Sequence, residues 1–236
     1  MFSPEKSIAV LIDAENIAPS SIYLILDEVA KFGIANVKRI YGDFTTQQMS
    51  SWKEILNKYS IHPMQSYRYT EGKNSSDSAL IIDAMDLLYT DKYNLFCIIS
   101  SDSDFTRLAS RIKESGILVY GIGESKTPEP FKQACNQFIT IENLKQNDVI
   151  PKETQRIIKN KNLDASMLKL IISSVKDAAD EDGEALLSYI GLIVKNKRPD
   201  FDYRTFNYSG LQELLIDIGY KIERKNGIPY VKLESK

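Results

Sequence analysis

Two uninterrupted apolar runs, Ile8–Ile12 and Leu95–Ile99, stand out along the chain. Their length and β-branched content predict strands buried on both faces, as in a parallel sheet. Around them, strand-like and helix-like periods alternate. Strands are predicted at Ser7–Asp13, Asn36–Tyr41, Ile61–Tyr67, Leu95–Ser100, Ile117–Ile122 and Phe138–Ile141. Helices are predicted at Ser20–Phe32, Thr45–Tyr59, Asp77–Tyr89, Asp104–Ser115 and Phe131–Asn136. The third of these carries Leu80, Ile81, Ala84, Leu87 and Leu88 at helical spacing. Strands alternating with helices predict βαβ units and an α/β, Rossmann-like fold with a mostly parallel sheet.

The pattern changes near residue 145. From there to about 162 the chain is polar and poor in large apolar side chains, which predicts a linker over residues 146–162. It separates a first domain, residues 1–145, from a second, smaller one, residues 163–236. In the second, helices are predicted at Ala165–Ala179, Ala185–Lys195 and Tyr208–Ile218. Strand-like runs at Tyr220–Glu223 and Pro229–Leu233 flank Lys225-Asn226-Gly227, and Asn-Gly between two such runs is the strongest short hairpin signal. Three helices and a terminal hairpin make a winged-helix arrangement.

Composition narrows the function classes. Hydrophobic content of 43% and charged content of 26% are ordinary for a globular protein. No apolar run approaches the roughly 18 residues of a membrane span, and the first residues lack a signal-peptide pattern, so the expected location is cytoplasmic. Cys97 and Cys135 have no CxxC spacing and are expected to be reduced core thiols. His62, the only histidine, has no second histidine or cysteine beside it and is not expected to be a ligand or base. Residues 1–145 carry 15 basic and 18 acidic side chains, and residues 163–236 carry 11 and 12. Any phosphate binding must therefore come from local patches. There is no P-loop, and Gly121-Ile122-Gly123 lacks the third glycine of a dinucleotide fingerprint.

The chemistry lies in three acidic motifs: Ile12-Asp13-Ala14-Glu15-Asn16, Asn74-Ser75-Ser76-Asp77 and Ser100-Ser101-Asp102-Ser103-Asp104-Phe105. The first and third follow the two buried runs, which puts their carboxylates at the carboxyl ends of strands, where open α/β sheets bind ligands. Crowded carboxylates repel one another at low dielectric, and a hard cation with oxygen preference, Mg²⁺ or Mn²⁺, relieves the repulsion. Asp13, Asp77, Asp102 and Asp104 are the candidate metal ligands and catalytic residues. A single aspartate after a strand is as readily a cap or turn residue. Two such sites in one sheet, with Asp77 opening a helix, weigh against that reading. Asn16 has an amide able to orient a carboxylate or a phosphate. Lys73, Asn74 and Ser101 are candidate substrate contacts, and Ser100 and Ser101 could hydrogen-bond a carboxylate or a phosphate. Asp83 either faces the site or braces a neighbour; Asp43 lies near the same edge, and Glu15 is expected to point outward. Carboxylates that hold a cation beside hydrogen-bond donors suit phosphodiester hydrolysis.

With these motifs, residues 6–144 resemble the NYN family of PIN-like nucleases. The resemblance rests on Leu11–Asn16, on Lys73–Asp77 with Asp83, on Ser100–Phe105, and on Gly116 with Val119-Tyr120-Gly121. It implies a Rossmann-like sheet whose acidic cluster binds Mg²⁺ or Mn²⁺ for RNA cleavage. Residues of about 165–234 resemble a LOTUS domain, also called OST-HTH. The carrying residues are Leu168–Ile171, Ala178–Ala185, Pro199–Asp202, Tyr208–Leu214 and Pro229–Val231. That resemblance implies binding of RNA, structured or G-rich in some members, and of protein in others. In support, Lys195, Lys197 and Arg198 form a basic knot and are candidate RNA contacts, with Lys221, Arg224 and Lys225 near the hairpin. Tyr203, Phe206 and Tyr208 either stack on bases or pack the small core. The chain is thus expected to be a metal-dependent ribonuclease with an RNA-targeting module. The alternatives are a non-catalytic RNA-binding adaptor and a protein-interaction scaffold.

Overall fold

A computed structural model describes residues 6–67, 75–144 and 165–233. The chain divides into two compact units, Met1–Lys145 and Gln146–Lys236. Lys73, Asn74 and all of the expected linker lie outside the described residues.

In the first unit six strands form one parallel sheet: β1 (Ser7–Asp13), β2 (Ile34–Gly42), β3 (His62–Gln65), β4 (Leu95–Ile99), β5 (Leu118–Gly123) and β6 (Gln137–Thr140). Their order is β3-β2-β1-β4-β5-β6, and every neighbouring pair is parallel. The helices are α1 (Ile22–Val29), α2 (Trp52–Tyr59), α3 (Ser75–Leu88), α4 (Thr106–Glu114), α5 (Glu129–Ala134) and α6 (Ile141–Leu144).

Alternation along β1 explains why both faces of the sheet are covered. Ile8, Val10 and Ile12 join one core with Ile22, Ile25 and Val29 of α1 and Trp52 of α2. Ala9 and Leu11 join the other with Leu80 and Ala84 of α3, Leu108 and Ile112 of α4 and Phe131 of α5. Each fully buried Ile or Leu contributes about 2 kcal/mol, so the apolar runs fix this register firmly. Cys97 and Cys135 are free buried thiols, and burial raises the pKa of both. His62 is exposed on the edge strand.

β1 lies between β2 on one side and β4 on the other, so the strand order reverses there. The crevice outside the carboxyl ends of β1 and β4 is where such sheets bind ligands. Ile12 pairs with Ile99, which leaves Asp13 and Ser100 side by side just beyond the pair. Gly123 allows β5 to end close by, because a Cβ there would sit 2.5 Å from the Ser100 carbonyl oxygen. Gly121-Ile122-Gly123 thus serves packing rather than phosphate binding.

The second unit contains α7 (Ala165–Ala178), α8 (Leu187–Lys197), α9 (Leu211–Asp217) and three antiparallel strands, β7 (Glu184–Leu186), β8 (Lys221–Lys225) and β9 (Ile228–Lys232), in the order β7-β9-β8. Its core gathers Leu168, Ile171, Val175, Ile190, Leu214 and Val231. The hairpin forms as expected. Lys225 pairs with Ile228, and Asn226 and Gly227 both take positive φ, 52° and 80°, as a two-residue type I′ turn requires. The start of the predicted second helix differs, because Glu184–Leu186 pairs with β9 as a third strand before the helix begins. Among the described residues no helix is long and apolar enough to cross a membrane.

Candidate active site

Asp13 ends β1 and is 1% exposed. Its Oδ2 accepts from the Ser100 hydroxyl at 2.8 Å and from Asn16 Nδ2 at 2.6 Å, and its Oδ1 accepts from the Glu15 backbone N–H at 3.1 Å. Burial raises its pKa; the bonds from Ser100, Asn16 and Glu15 lower it, and burial prevails. Ser100 also accepts from the Asp102 backbone N–H at 3.1 Å. One buried hydroxyl therefore ties the end of β1 to the segment that follows β4.

Asp102 caps the short 3₁₀ turn Ser103–Phe105, its Oδ1 accepting from the Asp104 N–H at 2.9 Å. Such a cap satisfies a donor the turn would otherwise leave open. The cap and turn present Asp102 and Asp104 next to Asp77, which lies in the first turn of α3. One carboxylate oxygen from each of Asp77, Asp102 and Asp104 lies within 4.8 Å of the others. Asp77 and Asp102 are half-buried and Asp104 is exposed. The Asp77 pKa is pushed up to about 6, first by burial and then by the charges of Asp13, Asp102, Glu15 and Asp104. An all-oxygen donor set under mutual repulsion fits a hard divalent cation.

The structure sorts the sequence candidates. It brings Asp77, Asp102 and Asp104 together and sets Asp13 beside them with its oxygens held by Ser100, Asn16 and Glu15. Asn16 orients a carboxylate, one of the two roles open to its amide. The Ser101 hydroxyl is buried and accepts from the Glu124 N–H at 2.9 Å. Asp83 braces: its carboxylate pairs with Arg39 and accepts from the Tyr41 hydroxyl, both on β2. That clasp fixes α3, and with it Asp77, against the sheet, and burial followed by Asp83 raises the Tyr41 pKa. Glu15 is exposed but reaches the start of α3, where the Ser76 hydroxyl lies 3.4 Å from its Oε1. Ser100 bonds a carboxylate, one of the two roles its hydroxyl offered at the end of a buried strand.

In the second unit the basic knot is largely spent. Lys197 Nζ lies 2.6 Å from Asp177 Oδ2 and 3.1 Å from Ser173 Oγ, with its side chain 1% exposed, so it joins α8 to α7. Arg198 is exposed and pairs with Asp200 at 3.3 Å. Lys195 is exposed. Of the aromatics, Phe206 and Tyr208 pack on the small core, Phe206 stacking on Phe201 and Tyr208 donating to Asp217 at 2.7 Å.

Comparison with known proteins agrees with this geometry. The sequence model of the NYN domain matches residues 7–142, and that of the OST-HTH/LOTUS domain matches residues 159–231. No curated protein matches the chain in sequence. The crystal structure of VPA0982, a protein of unknown function from Vibrio parahaemolyticus, superposes with a TM-score of 0.51 at 18% identity. The match covers 61% of this chain and 98% of that one, and it shows a shared fold alone.

Proposed function

The chain belongs to the NYN domain family, and on that premise we propose that it is a metal-dependent ribonuclease whose LOTUS domain engages RNA. The observation that carries this reading is the convergence of Asp77, Asp102 and Asp104 within 4.8 Å at the reversal point of the sheet. These three would hold the ion, Mg²⁺ or Mn²⁺. Once bound, the cation supplies charge neutralisation at the attacked phosphate and a more acidic water. Asp13 lies beside the three ligands, its carboxyl group oriented by Asn16 and Ser100. Without a cation, burial and the neighbouring carboxylates raise the Asp77 pKa to about 6, a repulsion that a bound divalent ion would relieve. Lys73 and Asn74 precede α3 in sequence and remain candidate phosphate contacts on that ground. In the LOTUS domain Lys195 and Arg198 are the exposed members of the proposed RNA surface.

One observation favours a second reading for the smaller unit. Lys197 and Arg198 have carboxylate partners, so a protein-binding role for this domain needs fewer ion pairs to open than an RNA-binding one.

The test is incubation of the purified protein with labelled single-stranded and structured RNA in Mn²⁺, Mg²⁺ or EDTA, beside Asp102→Asn. Cleavage is expected with one or both metals, none in EDTA, and at least about a hundredfold less in the variant. RNA bound by both proteins and cut by neither would replace the nuclease reading with the adaptor.

A further inference from the structure

From the carboxylate group a furrow runs away between α3 and α4, which lie in contact on one face of the sheet. The helical period builds both of its walls. On α3, Asp77, Ile81, Met85 and Tyr89 follow one another at four-residue steps, and the Tyr89 N–H bonds to the Met85 carbonyl at 3.1 Å, so the row keeps to one flank to its end. Asp83 lies on the opposite flank, where it pairs with Arg39 of β2. On α4, Arg107 follows Asp104 by three residues and Arg111 follows Arg107 by four, the spacing of neighbours on one helix face. The two rows meet where Arg111 Nη2 lies 3.4 Å from the Tyr89 hydroxyl. Asp77 and Asp104, members of the carboxylate group, therefore head the two walls, and Tyr89 and Arg111 stand at the far end.

The chemistry of the walls changes along the furrow, from acidic at its head to cationic and aromatic beyond. Arg107 is exposed and has no ion pair or hydrogen bond among the described residues, even with Asp104 close before it in sequence. In the first turn of α4 this cation lies at the positive end of the helix dipole, so an anion beside it would offset an unfavourable placement. Arg111 is exposed too. Its Nη1 donates to Ser115 Oγ at 3.0 Å, and Glu114, at 4.0 Å, is a loose and exposed counter-ion. A guanidinium has five N–H donors, so these contacts aim Arg111 and leave donors for a ligand. Tyr89 is 70% exposed, a ring presented to solvent beside a cation. Half-buried Ile81 and Met85 line the furrow between them and Asp77. Asp86, also exposed, lies round the helix between Tyr89 and Asp83, on the side away from α4. Arg107 and Arg111 are about 6 Å apart along the helix axis, close to the step between successive phosphates of an unpaired strand. Cations that track a backbone, beside a ring on which a base can stack, are what a single strand requires.

We propose that the furrow between α3 and α4 is the track along which single-stranded RNA runs on from the scissile phosphate, with Arg107 and Arg111 contacting successive phosphates and Tyr89 stacking on a base. What happens at the head of the track rests on the ribonuclease reading; the contacts along it do not.

The full chain is tested in two arms. In Mn²⁺, Arg107→Ala and Arg111→Ala should each raise KM severalfold on unstructured RNA with kcat little changed, and Arg107→Lys should raise it less. Each alanine should also lower the slope of log KM against log salt by about 0.7, one single-strand phosphate contact. Tyr89→Ala should raise KM about fivefold, and Tyr89→Phe, which keeps the ring, much less. RNA trimmed to a single nucleotide on one side of the cut should erase these differences, because it no longer enters the furrow. The second arm needs no cleavage. Asp102→Asn is photo-crosslinked to oligouridylate carrying thiouridine, and the linked residue is read by tandem mass spectrometry. A crosslink at Tyr89 is expected, lost when Arg107→Glu and Arg111→Glu are added, with melting as the check on folding. No crosslink at Tyr89, or an unchanged KM in all three alanine variants, would overturn the track even if RNA is cut. Losses that are equal on full and trimmed RNAs would place Arg107 and Arg111 at the reaction itself and overturn the track. A wild-type dimer that Tyr89→Ala turns into a monomer in light scattering would make the furrow a self-association face instead. A Tyr89 crosslink with no RNA cut by the wild type would uphold the track and overturn the nuclease reading.

Discussion

At the edge of the large sheet Asp77 is pushed up to about 6 by burial and by four neighbouring carboxylates. In the smaller unit, charges are matched one against another. Lys197 lies 2.6 Å from Asp177, Lys225 pairs with Glu184, and Arg204 grips Asp202 through Nε and Nη2, holding that carboxyl down to about 2. The contrast shows where folding has given up stability. Strand ends that converge on a buried edge force like charges together, a repulsion that a ligand of opposite charge would relieve. Paired charges elsewhere serve orientation and solubility.

The largest effect expected from breaking this pattern is in the smaller unit. Lys197→Met leaves Asp177 half-enclosed between α7 and α8 and should destabilise that unit by about 3 kcal/mol. Trp52 belongs to the first unit, so urea unfolding must be followed by circular dichroism to see the change. Combining Lys197→Met with Asp177→Leu should restore most of the loss, because both charges of the pair are then gone. An unchanged midpoint for Lys197→Met would mean that the pair is as weak as a surface one.

A second variant asks whether the contrast belongs to the units or to the site. Asp83 lies in the same helix as Asp77 yet is paired with Arg39 and bonded by Tyr41. Asp83→Asn should cost about 2 kcal/mol, the worth of a charge-assisted bond, seen as an earlier unfolding of Trp52 fluorescence. It should also weaken Mn²⁺ binding through α3, without touching a ligand. A stabilised Asp83→Asn would place Asp83 with the crowded carboxylates instead.

These cases also mark how much the sequence could reveal. Ile8–Ile12 is uniform enough that its burial on both faces, and the position of Asp13 at its end, follow from the pattern alone. Asn226-Gly227 has one favourable backbone answer, and the hairpin adopts it. Glu184–Leu186 was hidden because Ala-Leu-Leu suits a helix locally, while its strand pairing is with β9, more than forty residues on. The brace at Asp83 depends on Arg39 and Tyr41 facing α3, which no local pattern states. Lys197 was legible in principle, since it shares a helix face with Ile190 and Val194, both buried. Counted as one of three clustered cations it looks like surface; placed by helical spacing it points inward. The carboxylate group was found from strand ends, but the division of labour within it was not. Only the packed structure shows Asp13 held by Ser100 and Asn16 while Asp77, Asp102 and Asp104 converge.

The smallest expected effect is also the most direct reading of stored repulsion. An aspartate raised from 3.8 to about 6 binds more protons folded than unfolded between those values. Stability must therefore fall as pH rises through this window. The contribution of Asp77 is least unfavourable below about pH 4 and most unfavourable above about pH 6. Asp13, also raised, acts in the same direction. In EDTA, Asp77→Asn should stabilise the protein at pH 7 by about 1 kcal/mol, once solvent screening of this half-buried group is allowed for, and by nothing near pH 4. With Mn²⁺ present the order should reverse at pH 7, because the wild-type site then holds a cation that the variant holds more weakly, and Mn²⁺ affinity should decline as pH falls below about 6. Melting curves of the two proteins at pH 4 and 7, with and without metal, separate the outcomes. An Asp77→Asn protein no more stable than wild type in EDTA at pH 7 would mean that the carboxylates at this edge are not in strain, and the contrast with the paired charges of the smaller unit would lose its meaning.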